Sequence, residues 1–346
     1  MAAATYVMPS GAACAIGRGT RARAREQERN IIMCSAVRFV DAEGNLYFGR
    51  NLDWECGYGE KIVYTPADYN YQPAFNAKDR NHAVIGVGIV VDDTPLYFDC
   101  ANDAGLAVAG LNFPGYAQYA EDSVNFTTNV AAYEFPLWVA RSFTSVDDVA
   151  EALKNVTIVG KPINDRYPVS MLHWIVADAT RSIVVEYTAS GMHVYDDDVD
   201  VMTNQPEFPV HRQNLINYIN CTPMMVKPVR WGGAELKPWG AGLSAHGLPG
   251  DPNSMSRFVR IAYANAHYPD KQGEKDNVTR LFKTLSSAAM VEGMSAMADG
   301  QYEKTMFTSG YSARTKTYYM ATYDDPTIVA TPVSDFDATS NKLQTK

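Results

Sequence analysis

The chain has 346 residues, of which 46% are hydrophobic, 20% charged and 11% aromatic, and its formal net charge at pH 7 is -9. This composition is typical of a globular protein and excludes disorder over most of the chain. The acidic balance argues against nucleic-acid binding, and no apolar run in the sequence is long enough to cross a membrane.

The first 33 residues differ from the rest of the chain. They contain five arginines and two glutamates, and no apolar run long enough for a secretion signal. We interpret residues 1–33 as a leader that is disordered, removed as a propeptide, or added by an upstream start codon. The third interpretation is favoured because Met33 directly precedes the first segment with a folded pattern. The lack of an export signal then predicts a cytoplasmic location.

Strands dominate the pattern that follows Met33. Alternation at 36–40, a turn at 41–45 and a resumed apolar run at 46–48 predict a β-hairpin. Further β-branched and aromatic runs predict strands at 61–64, 84–90, 96–100, 106–112, 172–177, 182–187, 192–195 and 317–323.

Helices are predicted between these groups of strands. Ser145, with Asp148 three residues later, is an N-terminal capping signal for a helix that ends at about Leu153. Apolar spacing predicts further helices at 135–143, 212–219, 254–266 and 278–290. Because hairpin strands occur in runs, with helices grouped between them, the order predicts a layered α+β fold. We expect one domain over residues 34–346.

The sequence contains no recognisable cofactor motif. The six histidines are far apart, and no two of the five cysteines form a Cys-x-x-Cys pair. Gly86-Val87-Gly88 lacks the third glycine of a dinucleotide-binding loop, so we interpret it as part of a strand. We therefore predict neither a metal nor a cofactor.

Cys34 is the candidate nucleophile. If Met33 is the start and is removed, Cys34 carries both a thiol and a free α-amine. Their ordinary pKa values are about 8.5 and about 7.8, so proton transfer between them costs only about 1 kcal/mol. Arg50 follows the first hairpin and favours a thiolate, while Asp53 accepts hydrogen bonds from the amine. The alternative is a buried cysteine beside a surface Arg/Asp pair.

The motifs around Cys34 resemble those of the choloylglycine hydrolase family, which contains the bile salt hydrolases and the penicillin V acylases. Seven segments carry the resemblance, in the order in which the family has them. They are MCSAVRF at 33–39, YFGRNLDW at 47–54, AVAGLNFPGY at 107–116, MTNQP at 202–206, GLPGD at 247–251, SRFV at 256–259 and YEKT at 302–305.

This resemblance implies an N-terminal nucleophile hydrolase, which is a four-layer αββα sandwich that hydrolyses an amide. It implies that Cys34 attacks the carbonyl through a thioester while Arg50 and Asp53 orient its two reactive groups. Asn204 matches the family's asparagine beside the nucleophile. Asn112 matches a residue that contributes to the oxyanion hole, and Arg257 matches an arginine near the thiol. The resemblance also implies a homo-oligomer, since family members are homotetramers.

Asn112 also bears on the substrate. Within the family, bile salt hydrolases have asparagine at this position, whereas penicillin V acylases commonly have tyrosine. The resemblance therefore implies a conjugated bile acid, which is a steroid acid linked through an amide to glycine or taurine. Two alternatives stay open: an acylase for penicillin V or N-acyl homoserine lactones, and a non-catalytic amphiphile-binding protein that retains its leader.

Overall fold

The computed structural model describes residues 33–78, 81–297 and 300–346. The predicted leader, residues 1–33, lies outside the described residues apart from Met33, which begins the first strand. One antiparallel sheet has six strands, in the order Val201–Met202, Met33–Val40, Leu46–Trp54, Lys304–Ser312, Thr317–Thr322 and Val329–Pro332.

A second antiparallel sheet has eight strands. Its order is Gly191–Asp196, Ser182–Thr188, Leu172–Ala177, Ala107–Asn112, Thr94–Asn102, Val84–Val91, Lys61–Thr65 and Gln344–Thr345. Two small sheets pair Thr128–Ala131 with Val156–Val159 and Val229–Trp231 with Ala234–Leu236. The α-helices of the described residues are Phe135–Ser142, Val146–Leu153, Phe208–Asn214, Ser254–His267 and Gly273–Ser286.

Alternating side chains divide the core between the two faces of the eight-stranded sheet. Ile175 and Ala177 belong to the cluster shared with the six-stranded sheet, whereas Trp174 belongs to a second cluster. The helices Phe135–Ser142 and Val146–Leu153 contribute to that second cluster. Helices Ser254–His267 and Gly273–Ser286 pack on the six-stranded sheet. The layers are therefore helix, sheet, sheet and helix, which confirms the predicted αββα sandwich.

The predicted hairpin and strands are present, with ends that differ by a few residues. Gly86-Val87-Gly88 lies within the strand Val84–Val91, as predicted. A Cβ atom on Gly86 would lie 2.2 Å from the carbonyl oxygen of Asp99, so glycine allows the close approach of the neighbouring strand.

Several elements of the described residues differ from the prediction. Seven short strands were not predicted: Thr128–Ala131, Val156–Val159, Val201–Met202, Val229–Trp231, Ala234–Leu236, Val329–Pro332 and Gln344–Thr345. Three longer elements also differ. The strand Lys304–Ser312 was not predicted, because its buried positions include threonine and serine and so show a weak apolar alternation. The helix predicted at 212–219 begins at Phe208, with proline in its first turn, and ends in a 3₁₀ turn. The helix predicted at 278–290 begins at Gly273, because its first turn is acidic and gives no apolar signal.

Candidate active site

The side chain of Cys34 faces the layer between the two sheets. Cys34 lies opposite Leu52 across the first two strands, and Arg50, two residues before Leu52, faces the same side. Arg50 Nη2 donates to Cys34 Sγ at 2.6 Å. Arg50 Nη1 donates to the carbonyl oxygens of Gly110 at 2.9 Å and Phe98 at 3.1 Å, both in the eight-stranded sheet. The guanidinium therefore connects the thiol to the second sheet.

Asp53 faces the opposite side of the same strand, towards the helices. It lies opposite Met33 in the strand pairing. Its Oδ1 accepts a hydrogen bond from Thr305 Oγ1 at 2.6 Å, and its Oδ2 lies 4.0 Å from Arg257 Nη1. Oδ2 has no hydrogen-bond partner within the described residues. Burial raises the pKa of Asp53 to about 6, against the lowering effect of Arg257 and Thr305.

Arg257 is completely buried and holds the main chain at Cys34. It is carried by the helix Ser254–His267, which begins after Asn253, whose Oδ1 accepts the backbone N–H of Met255 at 3.0 Å. Arg257 Nη1 donates to the Cys34 carbonyl oxygen at 2.5 Å and to Ser35 Oγ at 2.6 Å. Burial lowers the pKa of Arg257, and Asp53 and Cys34 raise it.

Asn204 joins the remaining parts of the site. Its Oδ1 accepts hydrogen bonds from the backbone nitrogen of Cys34 at 2.8 Å and from Arg257 Nη2 at 2.7 Å. Its Nδ2 donates to the carbonyl oxygen of Asn112 at 2.8 Å. The backbone N–H of Asn112 in turn bonds to the sulfur of Cys34. The fold thus brings all six residues named from the sequence into one buried cluster.

The ionisation of Cys34 reflects opposing influences. Burial raises the pKa of its thiol and outweighs the lowering by Arg50, the Asn112 N–H and Arg257, while Asp53 raises it further. In the described chain the nitrogen of Cys34 forms a peptide bond with Met33. The lowering effect of Arg50 on the thiol pKa, predicted from the sequence, is present, but burial outweighs it in this form of the chain.

Two further residues belong to the site and were not named from the sequence. Thr305 bonds to Asp53, and Glu303, which is 2% exposed, lies close enough to Asp53 and Arg257 to interact with both charges. Burial raises the pKa of Glu303 to about 7. Both lie in the YEKT segment at 302–305, which is part of the family resemblance but was given no role from the sequence. Its last two residues begin the strand Lys304–Ser312, which was not predicted.

The described ranges contain no group of three or more His, Cys, Asp or Glu residues that could hold a metal ion. Within the same ranges, no helix is long and apolar enough to cross a membrane.

Comparison with known proteins gives consistent results. A bile salt hydrolase/transferase from Bifidobacterium longum subsp. longum is 57% identical over 313 residues, which are 90% of this chain and 98% of that protein. A conjugated bile acid hydrolase from Lactobacillus acidophilus is 44% identical over 315 residues, 90% of this chain and 100% of that protein.

Two solved structures are similar to this chain. A conjugated bile acid hydrolase from Clostridium perfringens superposes with a TM-score of 0.84 at 33% identity, over 90% of this chain and 96% of that one. A penicillin V acylase from Agrobacterium tumefaciens, 16% identical with a TM-score of 0.70 over 90% of each chain, shares the fold. The family model of linear amide C–N hydrolases matches residues 34–345. The chain belongs to the choloylglycine hydrolase family.

Proposed function

We propose that this protein hydrolyses the amide bond of bile acids conjugated to glycine or taurine, with Cys34 as an N-terminal nucleophile. The observation that carries the proposal is the position of the Cys34 nitrogen. It lies 2.8 Å from Asn204 Oδ1, and Asp53 is the cross-strand neighbour of Met33. Loss of Met33 would leave a free amine beside an amide oxygen and a buried carboxylate. The names of the two relatives above supply the substrate class.

In the proposed reaction, loss of Met33 and all that precedes it frees the α-amine of Cys34. The amine, with an ordinary pKa of about 7.7–8.0, takes the proton from Sγ. The thiolate attacks the substrate carbonyl carbon, and the ammonium then gives its proton to the departing amide nitrogen. Glycine or taurine leaves, and the bile acid remains as a thioester on Sγ. Water, deprotonated by the amine, cleaves this thioester and releases the bile acid.

Each polar neighbour has a role in this scheme. Arg50 stabilises the thiolate through its direct hydrogen bond. Asp53, with its unpartnered Oδ2, and Asn204 hold the amine. Asn112 contributes donors to the oxyanion of the tetrahedral intermediate, where one such donor is worth about 3 kcal/mol. Arg257 orients Asn204 and balances the carboxylate charge.

Product release and intact mass test the proposal together. We expect release of glycine from glycocholate or taurine from taurocholate, by protein whose mass corresponds to a chain that begins at Cys34. Cys34→Ala should leave less than about 1% of the activity, because no other group replaces the thiol. Faster hydrolysis of phenoxymethylpenicillin or of an N-acyl homoserine lactone would instead support the acylase alternative. Full activity from protein that retains residues 1–33 would refute the mechanism.

The same thioester could also react with an amine. The Bifidobacterium relative is named a hydrolase/transferase. A free amino group that replaces water would give a new amide, with its proton passing to the Cys34 amine. We therefore propose a secondary acyl-transfer reaction, tested by incubation of glycocholate with excess phenylalanine and mass detection of the phenylalanine conjugate.

We also propose that the protein forms a homo-oligomer, and specifically a tetramer. Large apolar side chains are exposed on one segment after the helix Phe208–Asn214, among them Ile219, Met224, Trp231 and Trp239. Such a concentration is typical of a protein interface. The double variant Trp231→Ser/Trp239→Ser should lower the mass measured by light scattering. Phe126→Ser, at an exposed aromatic outside this segment, is the control.

We propose a cytoplasmic location. Cys34, Cys100 and Cys221 are free thiols in the described ranges, as expected in a reducing compartment. Fractionation of the source cells, with activity measured in the cytosolic and external fractions, tests this.

A further inference from the structure

A second buried pair of titratable groups lies next to the site. His173 is on the strand Leu172–Ala177 and Glu186 on the neighbouring strand Ser182–Thr188, and their side chains are 1% and 0% exposed. His173 Nδ1 lies 3.2 Å from Glu186 Oε1, and His173 Nε2 lies 2.8 Å from the carbonyl oxygen of Thr203. The ring stacks on Phe113, with centroids 4.1 Å apart. Burying such a pair is unfavourable unless its hydrogen bonds compensate.

The hydrogen bonds of the pair fix which atoms donate and which accept. The carbonyl of Thr203 only accepts, so Nε2 of His173 carries a hydrogen. Glu186 Oε1 already accepts the backbone N–H of Phe208 at 3.0 Å. A carboxylate facing a neutral ring at Nδ1 would bring two lone pairs together, so a second hydrogen lies between them. His173 therefore bonds to Thr203 through Nε2 and to Glu186 through Nδ1, so the ring is held on both sides.

The pair acts on the main chain that carries Asn204. His173 holds the carbonyl of Thr203, the residue before Asn204. The carbonyl of Asn204 itself lies 2.8 Å from His211 Nε2, and its N–H donates to Ser254 Oγ at 2.9 Å. Burial lowers the pKa of His211 to about 4, so this second ring is neutral at pH 7. Buried histidines thus hold the carbonyls of both residues.

We propose that His173 and Glu186 are a positioning pair for Asn204. By fixing the Thr203 carbonyl, the pair directs Asn204 Oδ1 at the nitrogen of Cys34, the base of the reaction. The inference rests on the proposed function, because that nitrogen has a catalytic role only there. Without the pair the peptide can rotate, and a displacement of 1 Å can lower kcat by about 100-fold. Both side chains are buried away from solvent, so substrate binding should change little.

Glu186→Gln tests this inference with almost no change in shape. In the parent, Oε1 of Glu186 takes part in both the bond from the Phe208 N–H and the bond with His173 Nδ1. An amide oxygen cannot carry a hydrogen, and an amide nitrogen cannot accept the Phe208 N–H, so the variant weakens one of the two bonds. We expect kcat for glycocholate to fall about 100-fold, with KM within threefold of the parent. Glu134→Gln is the matched control. Glu134 is 3% exposed and accepts the backbone N–H of Ala74 beside the helix Phe135–Ser142, so its variant should keep the parental kcat.

A double variant, His173→Phe/Glu186→Leu, removes both titratable groups and keeps an aromatic ring against Phe113. It should fold even if Glu186→Gln does not, and its kcat should again fall about 100-fold. A kcat within threefold of the parent in either folded variant would overturn the inference. So would failure of both to fold while Glu134→Gln folds, because the pair would then be structural. A parent that releases neither glycine nor taurine would refute the proposed function, which is a separate observation.

Discussion

Arg50 and Asp53 lie three residues apart on one strand and therefore face opposite sides of the six-stranded sheet. Arg50 bonds to the sulfur of Cys34 between the sheets, whereas Asp53 lies on the helix side with Arg257. The thiol and the main chain of Cys34 are thus contacted by residues that lie on opposite faces of the six-stranded sheet. Substitutions on the two faces should therefore have different effects on Cys34.

Arg50→Met should raise the pKa of the Cys34 thiol, because Arg50 lowers it in the described structure. The pH midpoint of Cys34 alkylation by iodoacetamide should therefore move up. Asp53→Asn should move it down, since the Asp53 charge raises the same pKa. Loss of the charge-assisted bond, about 1.5–3 kcal/mol, should lower kcat/KM of Arg50→Met about 10- to 100-fold. A shift in the same direction for both variants would contradict the assignment.

Thr305 should set the acidic limit of activity. Asp53 must be ionised to hold the amine, and its pKa of about 6 places the loss of activity below that pH. The hydrogen bond from Thr305 lowers this pKa, so Thr305→Val should move the acidic limb of kcat/KM to higher pH. Thr305→Ser keeps the hydroxyl and should leave the limb in place. An unchanged limb in Thr305→Val would show that another group controls it.

How far the site could be predicted depended on which residues carry a local signal. Cys34, Arg50 and Asp53 fall in one hairpin, so strand pairing alone brings them together. Asn112, Asn204 and Arg257 come from a second sheet, a loop and a helix, and only the family resemblance linked them to Cys34. Arg257 follows Asn204 by 53 positions, and nothing in the sequence around Asn204 indicates that its Oδ1 lies 2.7 Å from Arg257 Nη2.

His173 and Glu186 gave no signal at all. Each lies in a strand that was predicted from its apolar residues. In such a pattern a buried polar residue cannot be told from a polar residue on the solvent-facing side of the strand. Their relation appears only when the two strands pair and Thr203 packs against them. The strand Lys304–Ser312 was missed for a similar reason, because its buried hydroxyls bond to buried carboxylates of other strands.

Glu274 should be a major contributor to stability, since it fastens the helix Gly273–Ser286 to the six-stranded sheet. Its carboxylate accepts hydrogen bonds from Tyr47 at 2.8 Å, Ser312 at 3.0 Å, Tyr319 at 2.7 Å and Thr315 at 2.9 Å. Glu274→Ala removes every acceptor and should lower the free energy of unfolding by about 2–4 kcal/mol. Glu274→Gln keeps one oxygen and should lose less. Urea unfolding measures both, and equal losses would contradict this account.

Asp197 should lower the stability of the fold, in contrast to Glu274, and the size of this effect should depend on pH. Burial, with a smaller contribution from the charge of Asp200, raises the pKa of Asp197 from 3.8 to about 8. Between these values the unfolded chain loses a proton that the folded chain keeps. The folded state is therefore progressively disfavoured as pH rises through this window, by at most about 1.4 kcal/mol per pH unit, and below pH 3.8 the penalty is absent.

Asp197→Asn removes this ionisation while its amide oxygen can still accept the Val199 backbone N–H, which Asp197 Oδ1 accepts at 3.1 Å. The variant should therefore gain stability relative to the parent from pH 4 to pH 8, with the gain largest at pH 8. Thermal unfolding of both proteins at pH 4, 6 and 8 measures this difference. A gain that is constant or shrinks as pH rises would mean that Asp197 is ionised in the folded chain, where its carboxylate would then need a compensating cation.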